Sequence, residues 1–216
     1  KATLQSALSV YEVDEVMLAD LDPDIIITQS QCEVCAVSLD DVESAVESLS
    51  GRKPKIISLQ PNSLSDIWND IEKVANGLSV ENKGIQLVKT LKDKAHELNQ
   101  SVKELPVKTV ACIEWIDPLM AAGNWVPTLV ELAGGQNLFG EAGKHSPWMD
   151  FKALKAKDPD VIIVMPCGYN ISKTIQEMKV LTDHPQWESL NAVKQARVYI
   201  TDGNQYFNRP GPRIID

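Results

Sequence analysis

Two short apolar runs, each led in by Asp-Pro-Asp, set the pattern of this chain. "LDPDIIIT" (21–28) and "KDPDVIIVM" (157–165) lie 136 residues apart. Unbroken runs rich in β-branched residues, opened by a proline, suit strands buried on both faces of a parallel sheet. The same offset brings the helical pattern "SLDDVESAVESL" onto "SKTIQEMKVL". It also carries the strand pattern "KPKIISL" (53–59) to within a few residues of "ARVYIT" (196–201). Each half therefore reads strand, loop, helix, strand, which predicts α/β lobes with right-handed crossovers. The second half has an earlier strand as well, "VKTVACIEW" (107–115), whose counterpart at the same offset falls before Lys1. The first lobe is thus expected to be incomplete, without its opening strand and helix.

The stretch 80–105 has a different period. Val88, Leu91, Ala95, Leu98, Val102 and Leu105 recur at alternating steps of three and four, one apolar stripe along a single long helix. At about 1.5 Å per residue it spans roughly 35–40 Å. A helix of that length bridges two lobes and holds them nearly fixed, where a Gly/Ser linker would let them swing. An ordinary crossover helix inside one larger sheet is the alternative. The expected layout is an N-terminal α/β lobe over 1–79, a linker helix over 80–104 and a C-terminal α/β lobe over 105–216.

Composition narrows the function classes. The 216 residues are 44% hydrophobic and 24% charged, as in ordinary soluble globular proteins, with a formal net charge of −9. That charge, with no basic stripe against it, argues against nucleic acid as a partner. No apolar run approaches the roughly 20 residues that a membrane span needs. Four cysteines are too few for a disulfide-built scaffold of this length.

Cys32 and Cys35 form a Cys-x-x-Cys in the loop after the first apolar run. A redox pair of this kind needs its first sulfur at a helix N-terminus. Here Ser38 and Asp41 form a capping box that starts the helix near Leu39 and leaves both cysteines in the loop. A zinc site needs a second ligand pair, but Cys112 and Cys167 are single and His96, His145 and His184 are scattered. No metal and no cofactor is expected. The repeat offers another reading, because the offset places Cys32 beside Cys167 in "MPCGYNIS". Both loops leave the carboxyl end of a parallel strand, where open α/β sheets bind ligands. Facing each other across a cleft, they would line a ligand site with Gln29, Ser30, Gln31 and Asn170 as polar neighbours. The alternative, that the cysteines pack as small buried apolar residues, stands beside it.

The second half also collects aromatic residues at predicted element ends: Trp115, Trp125 and Trp148, then Tyr206, Phe207 and Arg209 in "YFNRPGPRIID". Several aromatics on one edge, with polar loops between them, fit a concave site for a large, partly planar ligand. No catalytic motif competes: Gly-x-Ser-x-Gly, His-Glu-x-x-His and a phosphate loop are all missing. Glu114 and Asp117 flank Trp115 and read as a cleft edge and a helix cap rather than an acid–base pair. An α/β enzyme or nitrogenase-like redox subunit using the same cleft is the rival class.

Four segments, "PDIIITQSQCEVCAVS", "IEWIDPLMAAGNWVPTLVELAGGQNLFG", "PDVIIVMPCG" and "YFNRPGPRIID", resemble the helical-backbone substrate-binding proteins of ABC importers, most of all the cobalamin-binding branch. The likeness runs through essentially the whole chain in order. It implies two α/β lobes joined by one rigid helix, and a cobalamin-like corrinoid held between them without catalysis. An iron–siderophore or haem is the alternative cargo. By position it implies ligand contacts at Gln29, Ser30, Gln31, Cys32, Cys35, Trp115, Asn124, Trp125, Pro166, Cys167, Gly168, Tyr169, Tyr206 and Phe207. It further implies a monomer that docks on an ABC permease, in the periplasm or as a membrane-anchored extracellular lipoprotein. The family's docking acid after the C-terminal aromatic pair is replaced here by Asn208.

Overall fold

The computed structural model describes residues 13–30, 39–49, 51 and 53–216. Gln31, Cys32, Cys35 and the capping residue Ser38 lie outside the described residues. The chain divides into two compact units, Lys1–Pro61 with Trp68–Val88, and Asn62–Ile67 with Lys89–Asp216.

In the first unit, β1 (Ile25–Gln29) and β2 (Lys55–Leu59) pair in parallel, with Ile25 opposite Lys55 and Gln29 opposite Leu59. Helix α1 (Glu15–Leu21) precedes them, capped by the Asp14 side chain, which accepts from the Met17 N–H. Helix α2 (Leu39–Ser48) joins the strands and buries Val42, Ala45 and Val46. Helix α3 (Leu64–Gly77) follows from a capping box: Asp66 accepts from the Ser63 N–H at 2.8 Å, and the Asp66 N–H reaches back to the Ser63 hydroxyl.

The long helix, α4, runs from Glu81 to Val102, 22 residues or about 33 Å. Its apolar stripe is buried at Val88, Leu91 and Ala95, but Leu98 is 46% exposed. Leu105, expected on the same stripe, lies beyond the helix and is 60% exposed.

The second unit has a five-stranded sheet centred on β3 (Lys108–Trp115). On one side lies β6 (Val161–Val164), followed by β7 (Val198–Ile200), both parallel. The other side is shared by two short strands: β4 (Met120–Ala121), antiparallel, and β5 (Gly135–Asn137), parallel. Val110 to Ile113 are buried in succession, as a central strand covered on both faces requires. Ile162, Val164, Ile113 and Ala111 pack with Leu154, Leu181 and Leu190 in one core. The helices around this sheet are α5 (Val126–Leu132), α6 (Phe151–Lys157), α7 (Ile171–Glu177), α8 (Lys179–Thr182), α9 (Asn191–Lys194) and α10 (Gly203–Tyr206).

The structure explains the repeated Asp-Pro-Asp. Asp22 ends α1 at φ 38°, and Asp158 ends α6 at φ 42°, both left-handed. Aspartate tolerates that conformation better than most residues, and the following proline forbids more helix. Strands then start at residue 25 and residue 161, keeping the 136-residue offset. The second Asp of the later copy is anchored. Asp160 accepts from the Thr109 N–H and hydroxyl, both at 3.0 Å, and from the Asn191 carboxamide at 2.9 Å. The two Thr109 bonds, the backbone amide foremost, hold the Asp160 carboxyl below its ordinary range. A lowered folded-state value stabilises above the ordinary carboxylate range, and the benefit fades as pH falls through it. Asp160→Ala is therefore expected to cost about 1–2 kcal/mol at pH 7, and less at pH 3, measured by urea unfolding at both pH values.

Candidate functional site

The carboxyl ends of β3, β6 and β7 meet at one edge of the second sheet. The Met165 N–H donates to the Ile113 carbonyl at 2.8 Å and the Cys167 N–H to that of Glu114 at 3.2 Å, so the chain continues beside β3 past the end of β6. Gly168 then takes φ 77°, a left-handed turn suited to glycine. That turn presents Tyr169 to Trp115, with ring centroids 5.3 Å apart and planes tilted by 52°. The Lys173 ammonium lies 5.4 Å from the Tyr169 ring centroid and pairs with Glu177. The Trp115 indole N–H donates to the Asp117 carbonyl at 3.0 Å. Both residues are half-buried.

Other expected contact residues fall differently. Trp125 is only 5% exposed, and its indole N–H is taken up by the Phe207 carbonyl at 2.8 Å. It braces the edge. Pro166 is fully buried and does the same. Asn170 is spent on a helix: its side-chain oxygen caps α7 by accepting from the Lys173 N–H. Asp117 caps no helix, since the chain turns from a cis Asp117–Pro118 bond into β4. Cys167 and Gly168 are exposed, Tyr206 is 38% exposed, and Asn124, Trp115, Tyr169 and Phe207 are half-buried. On the first unit, Gln29 ends β1, and the Ser30 N–H donates to the Leu59 carbonyl at 2.9 Å. Asn208 turns its carboxamide inward, 3.4 Å from the Met165 carbonyl, so it is no surface docking group.

The electrostatics of this edge centre on Glu114. Burial pushes its carboxyl up, against the Ser146 hydroxyl bond, His145 and the Gly123 amide, which pull it down. Beside it, burial and then the Glu114 charge push the Cys112 thiol up to about 12. Burial and Glu114 likewise raise Cys167, with Arg209 opposing. Neither sulfur is a thiolate at neutral pH, so neither has the character of an activated nucleophile. The edge offers flat aromatic surface, backbone dipoles and neutral small side chains. That set can hold a ring system by contact and hydrogen bonding.

A groove of about 430 Å³ lies elsewhere, on the first unit, lined by Lys55, Ile56, Ile57, Asn69, Glu72, Lys73 and Asn76. It flanks the amino-terminal half of β2, the opposite end of that sheet from the strand-end loops. Its lining mixes two isoleucines with two lysines, a glutamate and two asparagines, and holds no aromatic ring.

The family model described as "Periplasmic binding protein" matches residues 9–205. The chain belongs to that family. Among curated relatives, it is 26% identical over 164 residues to the "Vitamin B12-binding protein" of Vibrio vulnificus (strain CMCP6), covering 74% of this chain and 56% of the relative. It is 22% identical over 202 residues to an "Uncharacterized ABC transporter substrate-binding lipoprotein YvrC" of Bacillus subtilis (strain 168), covering 91% and 60%. The chain thus spans less than two thirds of the length of these relatives. Among solved structures, an ABC transporter substrate-binding protein from Listeria monocytogenes EGD-e shares the fold at TM-score 0.75 and 19% identity, over 94% of this chain and 77% of that one. The mixed α/β fold with parallel sheets, expected from the repeat, is thereby matched along nearly the whole chain.

Ser146 is the site-edge residue that the sequence did not reveal. It is buried and bonded to Glu114, yet no motif marks it. Its role depends on a contact 32 residues back in the chain.

Proposed function

We propose that this chain is the binding part of an ABC-importer substrate-binding protein whose cargo is a cobalamin-like corrinoid, taken up and passed on unchanged. The observation that carries the reading is the Trp115–Tyr169 pair at the strand-end edge, with the Cys167–Gly168 turn exposed beside it. A corrin ring is a broad, nearly flat body edged with amides. Its face suits the aromatic pair and its rim suits the turn's backbone groups. Burial at about 25 cal/mol per Å² over such a ring supplies affinity without any covalent bond. Family membership and the vitamin B12-binding relative support this reading over an enzyme. The proposed partner is the importer's permease, and the proposed place is the periplasm or the outer face of a membrane as a lipoprotein. The second reading, haem or a ferric siderophore, rests on the same aromatic edge, which any planar chelate could use.

Calorimetric titration with cyanocobalamin, haemin and a ferric hydroxamate separates these readings. The corrinoid is expected to bind tightest, at least tenfold below the others in Kd. Tight binding of an iron chelate alone would move the cargo to the second reading.

A further inference from the structure

We infer that Glu114 is a positioning residue, whose carboxylate clasps the turn carrying Asn124 and Trp125 to the end of β3. Its Oε2 accepts from the Ser146 hydroxyl at 2.7 Å, and the same Ser146 oxygen accepts from the Gly123 N–H at 3.0 Å. Ser146 is 5% exposed, so the relay runs through the protein and not through solvent. Two backbone bonds complete the clasp: the Asn124 N–H donates to the Lys144 carbonyl at 2.7 Å, and the Gly143 N–H to the Asn124 carbonyl at 2.9 Å.

The fit at the turn is close. A Cβ on Gly123 would stand 2.6 Å from the Lys144 carbonyl oxygen and 2.8 Å from the Ser146 nitrogen, both backbone atoms. Asn124 adds a left-handed φ of 52°. From this turn the Trp125 indole reaches the Phe207 carbonyl, so one line of bonds joins the strand carrying Trp115 to the segment after β7. A carboxylate is a costly way to fill space, since burial alone raises its energy. It earns that position as a charge-assisted acceptor, because losing either partner leaves a buried orphan. The importance of the clasp for cargo rests on the ligand-binding reading above; the clasp itself needs no ligand.

Amide hydrogen exchange in the whole chain tests it, on Glu114→Ala, Ser146→Ala and Glu114→Gln. Both alanine variants are expected to speed exchange at Gly123 on the order of tenfold, with core amides of β3 and β6 unchanged. Glutamine keeps an acceptor oxygen and is expected to restore most of the protection. Exchange at Gly123 within twofold of wild type in both alanine variants would overturn the inference. So would a glutamine variant as fast as alanine. Faster exchange with an unchanged Kd for cyanocobalamin would uphold the clasp and show that cargo does not depend on it. A wild-type chain that protects Gly123 but binds no cyanocobalamin would uphold the clasp and count against the cargo reading.

Discussion

Replacing Trp115 with alanine is expected to weaken cyanocobalamin binding roughly thirtyfold or more, about 2 kcal/mol, the scale of an aromatic anchor at the centre of an interface. The ring is half-buried at the strand end and stacks at a tilt on Tyr169. Its removal takes one flat wall away and leaves the Tyr169 ring without its partner. Folding stability should change little by comparison, because the indole makes one hydrogen bond, to the nearby Asp117 carbonyl, and the residue is only half-buried. Trp125→Phe is the informative contrast. That indole is buried and holds the Phe207 carbonyl, so its loss should lower stability first and affinity only through a loosened edge. Paired titrations and urea unfolding of the two variants distinguish the roles. Equal affinity losses with equal stability losses would contradict the assignment of separate roles.

Gly203→Ala is expected to destabilise the second unit by about 3 kcal/mol, the range of core overpacking against a rigid neighbour. A Cβ there would sit 2.3 Å from the Met165 carbonyl oxygen and 2.7 Å from its carbon. Neither atom can retreat, since Met165 is held by its own N–H to the Ile113 carbonyl beside β3. The Phe207 and Asn208 N–H groups both donate to the Gly203 carbonyl, so a shift of α10 would break the turn that carries Tyr206 and Phe207. Gly211→Ala serves as the control. Nothing lies within 4 Å of that Cβ, and its φ of 179° is extended backbone open to any residue. The control should stay within about 0.5 kcal/mol. A Gly203→Ala protein as stable as the control would show that α10 can slide.

What the sequence revealed was whatever a single period or a local rule could encode. The Asp-Pro-Asp copies marked where two strands begin because a left-handed Asp followed by Pro is a local event. The offset held there and then drifted: β2 opens at residue 55 and β7 at residue 198, further apart than the 136-residue repeat. Insertions in the connecting loops cost little and erase such registers. Helix α3 lies outside the strand, loop, helix, strand repeat, although Ser63 and Asp66 spell its capping box. Strands β4 and β5 are two and three residues long, too short for any period, and exist only because β3 offers an edge. At the site, it was legible that aromatic residues fall near element ends, as Trp115 does at the end of β3. Which of them face outward was not, since Trp125 is buried by a partner 82 residues away.

In the proposed function, this chain takes up a corrinoid and leaves it chemically intact. Native mass spectrometry of the protein with one equivalent of cyanocobalamin, then denaturation and weighing of the released ligand, tests it most directly. The predicted result is a single adduct of one intact cyanocobalamin, recovered with its mass unchanged, and no stable adduct with haemin under the same conditions. Absence of the corrinoid adduct, or recovery of an altered corrinoid, would contradict the account.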